Sequence, residues 1–475
     1  MFSNIPASAI PKQGRNALKK KSMENQAYDI CIVGGGIAGA ALAGYLGNSG
    51  LRIAVVEKTL AEQDRIIGEL LQPGGVEMLH KMGMEHLLDG FDAQPIHGYG
   101  LFMNGEDFRI NYPKHEENEV TGRGLRNGKF MQRLRQHATR YSNVTLIEGT
   151  ATDIIEYNDT ITGIVYRPKG ADEPVQLSAS LTVMSDGIFS AFRQGLSAAD
   201  KKVSGHFLGL LLHHAQLPYA NHGHVIITDN APVLVYPVSS TETRVLIDFP
   251  GDVAPRKGEE LSTFLNEVIG PQLPASIQAT YYAAVQEGKF KVMPNHLMAA
   301  KPVMKNGGVL LGDSLNMRHP LTGGGMTVAF TDVYLLGSEL LKTDFAKQEN
   351  IYKAVKRFYK IRTEQTASIN ILADALYGVM RNNDLKMACF QYLKQGGNYA
   401  EQPVSILSAV SRDVNMLIRH FFAVAVFGMG KLLLPLPTPQ RSKRAYRMLA
   451  DAVNIISPLL KNEKVISVSR LTGQN

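Results

Sequence analysis

Three glycines and one acid near the start of the chain have the spacing of a phosphate cradle. YDICIV at 28–33 runs into GGGIAG at 34–39, an apolar AALAGYL follows at 40–46, and LRIAVVE at 51–57 ends in Glu57. Gly34, Gly36 and Gly39 fit the pattern G-x-G-x-x-G. The first permits a tight turn, the second lets backbone approach a pyrophosphate, and the third lets a helix pack closely on a strand. The helix start offers free N–H groups to phosphates. Glu57 is placed to accept from ribose hydroxyls. Strand, glycines, helix, strand and acid in this order predict a dinucleotide site, without separating FAD from NAD.

A second glycine segment makes that choice. GGVLLGD at 307–313 reads as an apolar strand ending in Gly312 and Asp313, and an acid there can hydrogen-bond the ribityl chain of a flavin. PLTGGG at 320–325 then opens an apolar helix expected over 326–336. Bare N–H groups and the helix dipole at that start favour negative charge on the pyrimidine edge of a reduced flavin. Asp313 as a plain helix cap would leave the second glycine-rich helix start without a purpose.

The rest of the chain must position these two loops. A length of 475 residues allows two or three domains, and 44% hydrophobic with 20% charged residues is ordinary for a globular protein. Cys31 lies within the first predicted strand and far from Cys389, which speaks against a disulfide framework and for a reducing compartment. HFLGLLL at 206–212, HVIIT at 224–228, APVLVYP at 231–237 and RVLIDF at 244–249 read as strands of one sheet. His222 and His224 would share a strand face, but no Cys or carboxylate cluster completes a metal set, so no metal is expected.

Charge is unevenly spread. Residues 1–22 carry +5 and residues 401–475 carry +6, leaving a mildly acidic body within a net charge of +7. Basic ends suit an anionic surface, although residues 1–22 show no apolar periodicity and read as a solvated arm without a secretory signal. From about residue 345 the pattern is helical. FFAVAVFGMG at 421–430 is uncharged and LLLPLP at 432–437 breaks at prolines, a stretch expected to be too short and interrupted to cross a bilayer. It reads as a segment dipping into one leaflet, with Lys431 snorkelling and Arg441, Lys443, Arg444 and Arg447 near headgroups. Residues 453–460 would add a second contact.

GDSLNMRHPLTGGGMTVA at 312–329 resembles the signature of the squalene epoxidase (squalene monooxygenase) family, as does DRIIGELLQPGG at 64–75. DAQPIHGY at 92–99, SDGIFSAFR at 185–193, SSTETRVLID at 239–248 and HFFAVAVF at 420–427 are also similar. The resemblance runs from about residue 28 to about residue 460. It implies bound FAD, with electrons from NADPH delivered by a separate reductase. Ile37, Ala38, Glu57, Arg65, Arg135, Ala151, Asp313 and Met326 match the family's FAD contacts. Lys58 stands where the family usually has Arg, keeping the charge but losing the planar fork. Tyr99 matches a tyrosine needed for activity that orients Gln72 beside the flavin.

The implied fold is α/β: a Rossmann-type FAD-binding domain of the p-hydroxybenzoate-hydroxylase-like flavin monooxygenases, a β-sheet substrate domain and a C-terminal helical, membrane-associated region. The boundaries expected are a basic arm at 1–27, a first FAD-binding part at 28–200 that carries a substrate-domain insertion near 92–115, a substrate-binding β-sheet domain at 201–300, a second FAD-binding part at 301–345, and the helical region at 346–475. The implied reaction is epoxidation of squalene to 2,3-oxidosqualene in sterol or triterpenoid biosynthesis, on the cytoplasmic face of the endoplasmic reticulum. Squalene has no polar handle for acid or base catalysis, so the oxidant must come from the cofactor. Few catalytic side chains and a long apolar pocket follow. Another FAD enzyme on an isoprenoid, such as a polyprenyl hydroxylase or geranylgeranyl reductase, is opposed by NMRHPLT at 316–322. A basic membrane or nucleic-acid binding protein would not need an intact flavin site, and no nucleic-acid partner is expected.

Overall fold

The computed structural model describes residues 28–114, 118–230 and 232–465. The basic arm expected at 1–27 lies outside the described residues, as does the tail past 465. Tyr28–Val33 is β-branched and apolar, and its last four residues are buried, as a central parallel strand requires. It pairs in parallel with Ile53–Glu57 on one side and with the end of Val175–Met184 on the other. Val144–Tyr157 and Gly308–Leu310 complete the parallel sheet at its two edges. Thr160–Pro168 links the outer halves of Val144–Tyr157 and Val175–Met184 as an antiparallel meander.

Small residues set the helix layer on this sheet. The first helix, Ile37–Tyr45, is IAGAALAGY and starts three residues earlier than its apolar run suggested. A Cβ on Gly44 would stand 2.9 Å from Cδ2 of His137, in the helix Asn127–Ala138. A Cβ on Gly337, in the helix Gly325–Leu340, would stand 2.5 Å from the Tyr45 ring. Larger side chains would push these helices apart and open the site between them.

The second sheet has seven strands. Lys202–His213 lies between Lys291–Leu297 and Glu242–Pro250, and Pro232–Pro237 and Gly223–Ile227 follow. Gly98–Met103 joins in parallel beside Gly223–Ile227, with Glu106–Asn111 at the edge. Side chains alternate along its strands. Leu208, Leu210 and Leu212 pack with Ile277, Tyr281 and Val285 of the helix Ala275–Glu287. Phe207, Leu234, Tyr236 and Leu246 belong to a different core, toward the C-terminal helices.

Capping residues divide the C-terminal helices. Asn382 accepts from the N–H groups of Asp384 and Leu385, separating the 33-residue helix Gln348–Met380 from Asn383–Leu393. Asp413 caps Val414–Leu433, and Thr438 caps Pro439–Asn462. The expectation of a short, interrupted apolar stretch is overturned here. Val414–Leu433 is one continuous 20-residue helix, long and apolar enough by length and composition to cross a membrane, with 28% of it buried in the protein. The proline break at 434–437 falls after the helix, not within it. The cap at Asp413 lengthens it backward, and Arg419 and His420 lie inside a helical run that the charge pattern had treated as a boundary. Residues 453–460 continue the last helix, with Ile456 and Leu460 packed inward beside Ala367 and Ile371.

Candidate active site

The two glycine segments meet. A Cβ on Gly312 would lie 3.1 Å from Cβ of Ala38. Gly34 adopts φ +97°, and any side chain there would strike the Ser185 carbonyl at 2.5 Å. At Gly39 a Cβ would fall 1.9 Å from the Gly34 carbonyl. Gly36 instead has nothing within 4 Å of its missing Cβ. Two glycines are thus required by packing, while the third leaves open space at the start of a helix with no side-chain cap.

Glu57 and Arg135 frame that space. Glu57 Oε2 accepts from the Gly35 N–H at 2.7 Å. Arg135 Nε donates to the Gly35 carbonyl at 2.7 Å, and its Nη2 is 3.6 Å from Glu57. Burial lowers the Arg135 pKa, with Glu57 opposing. Its Nη1 is buried and has no hydrogen-bond partner. An uncapped helix start, an open glycine cradle and an orphan guanidinium donor form a set that fits a phosphate or a polar adenosine group. Lys58 and Arg65 are exposed at the rim, and Arg65 forks onto Gln63 at 2.9 and 3.1 Å. Ala151 sits opposite Tyr166 on the meander, beside a bulge.

The other loop opens a cavity. Asp313 lies in the tight turn after Gly308–Leu310 and lines this cavity together with Met326, Arg318, Tyr99, Leu234 and Tyr236. The turn is held from behind. Ser314 Oγ donates to Asp186 at 3.0 Å and accepts from the Gly187 N–H at 2.9 Å, and Arg193 Nε donates to the Ser314 carbonyl at 2.9 Å. Asp313 faces the cavity with dense protein behind it. That desolvation raises its pKa, while Arg318, Arg65 and Arg193 act to lower it.

Gln72 is buried behind the cavity wall and fixed by three groups. Its amide N–H groups donate to the Tyr99 hydroxyl and to the Thr322 carbonyl, the latter at 2.7 Å. Its Oε1 accepts from the Tyr112 hydroxyl at 2.8 Å. Tyr99 and Tyr112 meet edge to face, with ring centroids 5.7 Å apart. Burial raises the pKa of both phenols, so they stay protonated at neutral pH. Tyr99 accepts from Gln72, has the Tyr112 hydroxyl as a second hydrogen-bonding neighbour, and lines the cavity.

Sequence reasoning missed Tyr112, the Thr322 carbonyl and Arg318. It also missed a buried ion pair, Arg244 Nε to Glu69 at 2.7 Å and Nη2 at 3.2 Å, which ties the second sheet to the segment carrying Gln72. Both pair members lie inside motifs already singled out, 64–75 and 239–248, and opposite charges in two apolar strands are the one signal that could have linked them. His222 and His224 flank Tyr219; His222 contacts the Ala220 carbonyl and Asn111, and His224 stacks on Phe102. Among the described residues no group of three or more His, Cys, Asp or Glu could hold a metal ion.

A second pocket lies among the C-terminal helices. Leu372, Leu376, Leu393, Leu407, Phe421 and Val424 line it, with almost no polar surface.

A parallel sheet whose glycine cradle meets an acid-ended second loop at the edge of an apolar cavity defines a flavoprotein of the FAD-dependent monooxygenase class. The squalene epoxidase family pattern matches residues 178–446. Squalene epoxidase 1 of Arabidopsis thaliana is 43% identical over 446 residues, covering 92% of this chain and 84% of that protein. Squalene monooxygenase of Mus musculus is 38% identical, covering 92% of this chain and 78% of that protein. The solved structure of PqsL from Pseudomonas aeruginosa, a probable FAD-dependent monooxygenase, is similar with a TM-score of 0.63 at 19% identity, covering 75% of this chain and 97% of that one. The chain belongs to the squalene epoxidase family.

Proposed function

We propose that this protein epoxidises squalene to 2,3-oxidosqualene with FAD and O2, using NADPH-derived electrons passed to it by a separate reductase. The observation that carries the reading is the pairing of an acid-ended flavin loop with an apolar cavity in a chain of this family. Bound and reduced FAD supplies the electrophilic oxygen that an unactivated alkene requires. The protein's own task is to hold, orient and keep dry.

Gly34, Gly36, Ile37, Ala38 and Gly39 would present backbone to the pyrophosphate, with Glu57 and Lys58 toward the ribose, and Arg65, Arg135 and Ala151 toward the remainder of the adenosine half. Asp313 would accept from the ribityl hydroxyls, and Met326 would contact the ring system. Tyr99, locked through Gln72, would donate a hydrogen bond at the reacting end of the cavity without exchanging a proton, because its pKa is raised. Leu234, Tyr236 and Leu246 line the hydrocarbon wall. Squalene is a 30-carbon chain, so the second apolar cavity suits the part of the substrate away from the reacting alkene.

Access from a membrane fits the outer surface. Val426, Leu434 and Leu436 are exposed large apolar residues near the end of Val414–Leu433, with Tyr446 on the next helix. Lys431 lies 5.6 Å from the Phe427 ring, consistent with snorkelling. The basic set expected to meet headgroups shrinks, however. Arg444 is held by both oxygens of Asp384, and Arg441 Nη1 caps the Leu434 and Leu436 carbonyls at 2.9 and 3.2 Å. Lys443 and Arg447 are the exposed cations left for headgroups. The membrane in question is the endoplasmic reticulum, from its cytoplasmic face.

The test is product analysis. Purified, flavin-loaded protein should yield 2,3-oxidosqualene only when NADPH and a reductase are both added. A colourless protein, or a hydroxylated or hydrogenated isoprenoid product, would sink the proposal. Truncation after residue 402 would also remove Leu417, Phe421 and Val424 from the second cavity, so membrane contact is better tested by Leu434→Glu with Leu436→Glu. Liposome binding undiminished in that variant would place the contact elsewhere.

A further inference from the structure

Arg318 stands where the flavin end of the main cavity meets the C-terminal helices, and the function described so far does not use it. It is 8% exposed. Nε donates to Asn370 Oδ1 at 2.7 Å, and Nη2 donates to the carbonyl and Oδ1 of Asn316 at 3.1 and 2.8 Å. Nη1 is less well served, with the Gly325 carbonyl 3.5 Å away. That nitrogen lies 4.0 Å from the position of a Cβ on Gly325, beside the uncapped first turn of Gly325–Leu340. The guanidinium lines the same cavity as Asp313 and Met326. One end of a buried cation is therefore clamped, and the other is turned toward the glycine helix start.

The clamps are themselves held. Asn316 Oδ1 also accepts from Arg362 Nη2 at 2.9 Å, and Asn316 Nδ2 donates to the Met298 carbonyl at 2.8 Å. Arg362 lies 2.8 Å from Asp332. Asn370 Nδ2 donates at 3.1 Å to Glu463, just past the end of the last helix. Each amide is thereby fixed with its oxygen toward Arg318. An arginine in this setting keeps its proton at every working pH, although burial lowers its pKa. A fixed charge in a dry site acts strongly on a nearby charge and needs no rearrangement to do so.

We infer that Arg318 tunes the cofactor: it holds a permanent positive charge against the pyrimidine edge of the isoalloxazine and favours the two-electron-reduced, anionic state of bound FAD. Asn316, Asn370 and Glu463 are positioning residues for it, which ties the end of the last helix to the flavin's readiness to accept electrons. The inference rests on the FAD site proposed above. Reaching that reduced state takes two electrons from the reductase and one proton from solvent; Arg318 exchanges neither.

The midpoint potential of FAD bound to the full-length protein tests this, with no substrate present, by anaerobic titration against a dye of known potential. Arg318→Met is expected to weaken binding of reduced relative to oxidised FAD about tenfold, a fall of about 30 mV for a two-electron couple. Its reduced flavin should show the neutral rather than the anionic absorbance spectrum at pH 7. Arg318→Lys should fall less, because the charge remains. Asn370→Ala, which leaves Arg318 and every charge around it in place but removes the acceptor for Nε, should shift the potential in the same direction by a smaller amount. Should Arg318→Met lose its FAD, Arg318→Gln carries the test with the same expected sign. Potentials equal to the parent in the uncharged variant and in Asn370→Ala overturn the inference. A parent protein that binds no FAD would instead overturn the cofactor reading beneath it.

Discussion

The two glycine segments touch, yet they are held in different ways. Gly34 and Gly39 are pinned by backbone: the Ser185 carbonyl lies 2.5 Å from one missing Cβ and the Gly34 carbonyl 1.9 Å from the other. The second segment is held by side chains from distant parts of the chain. Gly323 faces Leu70 and Gln72 at 3.2 and 3.3 Å, Gly324 faces Ile369 at 2.9 Å, and Gly325 has only Arg318 at 4.0 Å. Backbone cannot yield, so the first loop is rigid and Gly34 and Gly39 admit no side chain. Side chains can repack, so the second loop can be tuned by residues far from it.

This contrast is open to a graded set of substitutions. The largest effect is expected from Gly39→Ala, whose Cβ must displace the Gly34 carbonyl. A loss of about 3 kcal/mol or more, with failure to retain FAD, should appear in chemical denaturation and in the flavin spectrum. Asp313→Ala comes next. It should leave the fold intact and weaken FAD retention by about 1.5–3 kcal/mol, roughly ten- to hundredfold, because hydroxyl donors lose a charged acceptor. Unchanged flavin content would remove Asp313 from the site.

Tyr99→Phe should keep FAD and lower epoxidation on the order of tenfold, since Gln72 loses an acceptor and the cavity loses a donor. Full turnover would show the Gln72 clamp to be merely structural. The smallest effects on stability are a matched pair. Gly36→Ala and Gly325→Ala both have room for a methyl group and should stay within about 1 kcal/mol of the parent in stability. Gly36→Ala alone should weaken FAD binding strongly, by filling the cradle. Equal FAD binding in the two would end the distinction between the segments.

One pH effect belongs to the second segment. Burial pushes Asp248 up to about 7 and His319 down to about 3, and the two side chains are 3.7 Å apart. As pH falls from 7 toward 5, native Asp248 gains a proton that the unfolded chain does not bind, which stabilises the fold. Over the same range the unfolded chain's histidine gains a proton that native His319 refuses, which destabilises it. The two slopes oppose each other. Asp248→Asn should therefore lose stability more steeply than the parent between pH 7 and pH 5 in denaturant titrations. Parallel pH profiles would mean that Asp248 is ionised in the native protein.

Local pattern was readable where function depends on neighbours in sequence. The run from Tyr28 to Glu57 is nearly all of the first cradle, because a strand, a turn and a helix start are made by consecutive residues. The Gly312–Asp313 turn and the helix start at Gly325 were readable for the same reason. Charge and proline misled at the C-terminus. Arg419 and His420 looked like the border of a short apolar stretch, whereas the Asp413 cap and burial of His420 beside Tyr392 carry the helix straight through them. Arg444 looked free for headgroups until Asp384, sixty residues away, was brought to it by the fold.

The amino-acid sequence alone determined the two glycine turns, the alternation of the sheet strands and membership of the family, since each rests on residue types at fixed short spacings. Only the tertiary structure decided that Tyr112 completes the hold on Gln72, that Glu69 and Arg244 tie the second sheet to the segment carrying Gln72, and that Arg318 turns one nitrogen toward the helix start while Glu463 steadies it from the far end of the chain. Those partners are separated by 40 to 175 residues, and no periodicity encodes a hydrogen bond across that distance. Packing brings them together, and the cost of leaving a buried polar group alone then makes each partner specific.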